Sequence, residues 1–209
     1  MMLGPAIAPF QPTNLPPPAR PLPFFGWALR GAWAGVIWAS FWSSVAGSLE
    51  AVSATILGHV IDAANGTPAL VFQQHWQLFA IFAAFYLVIR PLVFGINTSA
   101  LSLIIEPNLF PLILSRLHRW TLGHSVTFFD NDFAGRIAQK QMQTARAATD
   151  VVSGTIETVA FALASVVGSV ALMVAIDGAV SVVLLAWAMT PMLEPRRLMV
   201  SLPMMFRPV

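Results

Sequence analysis

From residue 31 to residue 61 the chain carries one charged side chain, Glu50. A helix over that stretch is about 45 Å long at 1.5 Å per residue, enough to cross ~30 Å of hydrocarbon and protrude slightly. Composition extends the constraint to the whole chain. Only 10% of its residues are charged and 57% are hydrophobic, against roughly 25% charged in an ordinary soluble domain. The chain reads as a membrane protein. Its net charge is only +2 and its cations are dispersed, which removes any argument for nucleic acid. Without a cysteine, disulfides, thiolate catalysis and Cys-based zinc sites are excluded.

Residues 1–23 hold eight of the sixteen prolines, including Pro16, Pro17 and Pro18, and are expected to be a disordered tail. They have no basic segment followed by a compact apolar core, so they are not a signal peptide. Phe24, Phe25, Trp27 and Leu29 then form a short segment suited to lie along the interface. After the first span, His59, Asp62, Asn65, Gly66 and Pro68 make a turn-rich connection, and the apolar pattern resumes near Trp76. No long break follows until Phe128, although Pro91, Pro107 and Pro111 should each kink the helix. Roughly fifty residues make about 75 Å of helix, more than twice what a bilayer uses. The second half, with Glu106, Asn108, Arg116, His118, Arg119 and His124, is therefore expected to stand in water.

The residues after it, TFFDNDFAGRIAQKQMQTARAATD, are the most polar stretch of the chain. Ala134, Ala138, Met142, Ala145, Ala148, Val152 and Ile156 recur at helical spacing, with Arg136, Gln139, Lys140, Gln143, Arg146 and Asp150 opposite them. Asp130, Asn131 and Asp132 sit where an N-cap and negative charge favour a helix start. This is a soluble-type helix, the turning point of two helices that leave the membrane and return. A third span follows over 151–176, broken by Glu157, and a fourth apolar run over 179–193 is shorter than a full span.

The eleven basic residues avoid two regions, between Arg30 and Arg90 and between Arg146 and Arg196. The positive-inside rule puts the connections in those gaps outside and the charged hairpin in the cytoplasm, with the N-terminus.

FFDNDFAGRIAQKQMQTA resembles the first intracellular loop of ATP-binding cassette exporters, in which Phe-Phe-Asp followed by Gly-Arg opens the helix after a coupling helix. His118-Arg119, the run Leu57-Gly58-His59-Val60-Ile61-Asp62, Arg90-Pro91 and Pro191 are similar to the bacterial multidrug-efflux branch. The resemblance covers residues 24–193. It implies an all-α membrane protein with long transmembrane helices and cytoplasmic extensions, an incomplete type-1 exporter transmembrane domain in the inner membrane. It implies that Thr127, Phe128, Phe129, Asp130, Asn131, Asp132 and Phe133 dock in a groove of a nucleotide-binding domain, and that Gly135 and Arg136 open the next helix. It also implies a homo- or heterodimer that moves its substrate outward, with ATP and magnesium held by the nucleotide-binding domain rather than by these spans.

The family's six spans, second intracellular loop and phosphate-binding GxxxxGK[ST] loop have no counterpart in this sequence, and no Gly-Lys pair occurs in it. Residues 194–209 do not look like a continuation of the fourth run, so the expectation is a truncated or frame-shifted chain without ATPase activity. The alternative reading is a four-span scaffold whose cytoplasmic helix pair binds a partner; an ion-coupled carrier would rest on Glu50, Arg90 and Glu157 alone. His118 and His124, six residues apart, do not share a helical face suited to a metal. Gly31-x-x-x-Gly35 and the stripe Ala160, Ala164 and Gly168 are candidate helix-packing faces, and Trp27 and Trp76 are candidate interface anchors. Glu50 and Arg90, the charges in the middle of spans one and two, come to within about one helical turn in depth if the spans are adjacent and antiparallel. They are expected either to pair or to face a hydrated cavity.

Overall fold

The computed structural model describes residues 4–13, 15–64, 68–125 and 134–176, and all regular structure among them is helical. A short α1 (Pro21–Ala28) leads through a turn to α2 (Trp33–Ala64). Pro21 and Pro23 suit the first turn of α1, where an N–H would have no intrahelical partner. The turn after it uses Gly31 at φ +80°, a left-handed conformation that Gly adopts without steric cost, and its backbone lies against the Gln11 side chain. Gly31 is therefore a turn residue, and the Gly31-x-x-x-Gly35 pair is not a helix-packing face.

A nearly continuous rod then runs through α3 (Pro68–Ala84), a π turn at Phe85–Ile89, α4 (Arg90–Ser99), a second π turn at Ala100–Ile105, and α5 (Glu106–Leu122). Its regular course is broken at His75, with φ −121° and ψ 23°. Each π turn ends just before a proline of the rod, Pro91 or Pro107, where the missing N–H interrupts the regular ladder. At the second one Asn108 Nδ2 donates to the carbonyls of Leu103 (3.4 Å) and Ile104 (3.0 Å), meeting the acceptor that Pro107 leaves open. The return rod is α6 (Ala134–Gly154), a π turn at Thr155–Ala160, and α7 (Phe161–Ile176).

Among the described residues three helices are long and apolar enough to cross a membrane: Trp33–Ala64, His75–Leu122 and Gly135–Val174, of 32, 48 and 40 residues. At 1.5 Å per residue they are about 48, 72 and 60 Å long. The second and third exceed a bilayer's hydrocarbon about twofold. The fourth apolar run and residues 194–209 lie outside the described residues.

Small residues let α2 and α7 approach closely. Gly47 lies against the Phe161 backbone and Ala164, and Gly168 against Ala51, so Ala164 and Gly168 of the sequence-identified stripe do form a packing face. The Ser43 hydroxyl, fully buried, donates to the Ile156 carbonyl at 3.0 Å, an acceptor within the π turn. Ser44, Ser48, Ser53 and Thr55 each bond the carbonyl four residues back, so an otherwise apolar α2 carries its hydroxyls at little cost.

Residues 1–23 were expected to be disordered, yet over the described part the segment packs. Ile7 is buried beside Gly35 of α2, and Trp27 is buried against the chain, its Nε1 donating to the Leu15 carbonyl at 2.9 Å. Proline density forbids a helix there without preventing one apolar side chain from finding a glycine-lined groove.

Candidate functional site

Three clusters of polar groups interrupt the apolar framework. The first is Glu50 with Arg90, on α2 and at the start of α4. Arg90 Nη2 donates to Glu50 Oε1 at 2.9 Å, and about a third of each side chain remains exposed. The guanidinium also lies 5.6 Å from the Tyr86 ring centroid and 5.5 Å from that of Phe94, one turn before and one turn after it. The cation is thus met by two aromatic quadrupoles and a carboxylate. Among the described residues Arg90 makes no hydrogen bond to a carbonyl freed by Pro91, the rival explanation for its place in the helix. Tyr86 adds a 3.4 Å bond from its hydroxyl to the Ser53 carbonyl, a second tie to α2.

The second cluster is the hairpin of α5 and α6. Gln141 Nε2 donates to Thr121 Oγ1 at 2.6 Å, holding the two helices together near their connection. The apolar stripe of α6 is buried at Ala145, Ala148, Val152 and Ile156, while Ala138 and Met142 are exposed. Closer to the connection, Ala138 and Met142 line an open cavity with Phe10, Pro111, Leu114 and His118. Gly135 and Arg136 are both exposed there. Thr127, Phe128, Phe129, Asp130, Asn131, Asp132 and Phe133, the residues the family resemblance assigns to docking, lie outside the described residues.

Sequence reasoning missed the third cluster. Arg116, on α5, is 2% exposed. Its Nη1 donates to the Trp27 and Ala28 carbonyls, both at 3.0 Å; its Nη2 to the Arg30 carbonyl at 2.7 Å; and its Nε to the Gln11 carbonyl at 3.2 Å. A guanidinium thereby caps the C-terminal end of α1, where carbonyls lack helical partners and a cation is favoured. The same side chain fastens residues 11 to 30 to the second rod. In the sequence Arg116 is one cation among several, with nothing to mark it as buried. Neither metal-binding clusters of His and acidic residues nor an ion pair to Arg116 occurs among the described residues.

Among the described residues, three long apolar helices, an ion pair between two of them and a polar pair of helices beyond it are compatible with a helical membrane protein. The chain is 29% identical over 174 residues to an uncharacterized ABC transporter ATP-binding protein of Haemophilus influenzae; the match takes in 82% of this chain and 28% of that protein. The chain is thus related to an ABC transporter protein and spans less than a third of its length. No protein-family model matches the chain, and no solved structure matches it.

Proposed function

We propose that the chain is the amino-terminal, membrane-spanning part of an ABC exporter, and that the α5–α6 hairpin is the lever through which ATP turnover elsewhere moves the spans. The observation that carries this reading is length. The two rods joined at the hairpin, His75–Leu122 and Gly135–Val174, have 48 and 40 residues, where about 20 suffice to cross a bilayer. Spans built only to anchor have no use for the excess; a transmission element that reaches a soluble domain requires it. The relation to an ABC transporter protein supports the same assignment. In this reading the hairpin is cytoplasmic, Thr127 to Phe133 form its docking tip, and ATP with magnesium belongs to a nucleotide-binding domain. The chain's own part is permeation and coupling, as one half of a homo- or heterodimer in the inner membrane.

The test is uncoupling. In a complete transporter containing these spans and an ATP-binding domain, Phe129→Ala or Asp132→Ala leaves substrate binding and ATP hydrolysis in place and abolishes transport. If folded protein and transport fall together, while the remaining protein stays fully coupled, these residues only cover the helix turn.

A further inference from the structure

We propose that the N-terminal segment, the turn before α2 and the C-terminal half of α5 form a binding site for the phosphate of an anionic phospholipid headgroup. This inference depends on the chain lying in a membrane and goes beyond any role in transport.

Two adjoining cavities, of about 350 and 460 Å³, share Arg116, Thr13, Pro12 and Leu15 in their walls. Arg30 lines the first and Arg119 the second. Three arginines therefore line two neighbouring cavities that share a wall. None of the three is ion-paired to a carboxylate among the described residues. Arg116 is the most demanding of them, because a buried cation held only by carbonyl dipoles keeps most of its desolvation cost. Its four bonds use four of the five N–H donors of a guanidinium, leaving one on Nη2. Arg30 and Arg119 are exposed and have every donor of their side chains available to a ligand. An anion in the recess supplies the missing countercharge to all three.

The position selects the kind of anion. Arg30 lies three residues before Trp33, where the 32-residue apolar α2 begins. Arg116 reaches the carbonyl of Arg30 itself, so both charges sit at the level of the amino-terminal end of α2. Arg119 stands one turn farther along α5, and Trp120, 43% exposed, flanks it in the wall of the second cavity. Trp at headgroup depth beside clustered Arg between helices is the arrangement that receives lipid phosphates. The apolar surface of α2 outside the recess, with Ile37 and Phe41 largely exposed, provides a path for the acyl chains.

The test uses the full chain in detergent, with phosphatidylglycerol, phosphatidylcholine and inorganic phosphate as probes and native mass spectrometry and thermal melting as readouts. Phosphatidylglycerol is expected to be retained and to raise the melting temperature, with phosphatidylcholine and inorganic phosphate doing neither at matched concentration. Arg30→Gln and Arg119→Gln each weaken phosphatidylglycerol binding about fivefold, and together about thirtyfold, from the attraction between one basic residue and an anionic surface. Both side chains lie outside the Arg116 clamp, so the lipid-free melting temperature stays at the wild-type value. Equal retention of the two lipids, or wild-type phosphatidylglycerol affinity in the double variant, overturns the proposal. Stabilisation by inorganic phosphate equal to that by phosphatidylglycerol overturns the lipid assignment in favour of a free-anion site.

Discussion

Arg90 reaches across forty positions of sequence to place its Nη2 2.9 Å from Glu50 Oε1, with its guanidinium carbon 5.6 Å and 5.5 Å from the ring centroids of Tyr86 and Phe94. Neither residue is affordable alone in hydrocarbon. Removing one partner should cost about 2 kcal/mol, less than the 3–5 of a fully buried pair because part of each group stays exposed. We expect Glu50→Gln and Arg90→Gln each to lower the melting temperature in detergent, and the double variant to recover part of the loss. Additive losses would mean that the two groups stabilise the fold independently and face a cavity instead.

The contact between α2 and α7 gives a graded series at glycine. A Cβ at Gly47 overlaps the Phe161 carbonyl, which belongs to the backbone and cannot swing aside; one at Gly168 meets Ala51 Cβ at 3.0 Å; one at Gly95 meets nothing within 4 Å. Melting temperatures should therefore fall most for Gly47→Ala, slightly for Gly168→Ala and not at all for Gly95→Ala. A Gly47→Ala protein as stable as wild type would contradict the close approach of the two helices.

Ser43→Ala removes the side-chain donor to the Ile156 carbonyl. A buried acceptor left open costs about 1–3 kcal/mol, whereas Ser48→Ala, whose hydroxyl only back-bonds within α2, should cost under half a kcal/mol. Equal effects would show that the π turn satisfies its own carbonyls.

What the sequence made legible followed from local pattern. Long, predominantly apolar runs marked the three long helices, Pro91 and Pro107 marked the irregular turns, and counting residues brought Glu50 to the depth of Arg90. What it hid depends on tertiary partners. Nothing near Arg116 says that its hydrogen-bond acceptors lie 86 to 105 residues away. Ile7, one apolar residue among prolines, acquires a burial site only because Gly35 and Ile104 leave room for it. Asn108 was readable in part, since a side-chain amide directly after Pro107 can reach the carbonyl which that proline leaves open.

The central claim is that the charged hairpin projects into the cytoplasm while the connection before α3 faces outside, and cysteine accessibility tests it most directly. The chain has no cysteine of its own, so Gln139→Cys and Thr67→Cys can be compared without background. With an impermeant maleimide on intact cells, Thr67→Cys should be labelled and Gln139→Cys protected, the latter reacting once membranes are inverted. Labelling of Gln139→Cys with protection of Thr67→Cys in intact cells would contradict the orientation, and with it the assignment of the hairpin to a cytoplasmic ATP-binding partner.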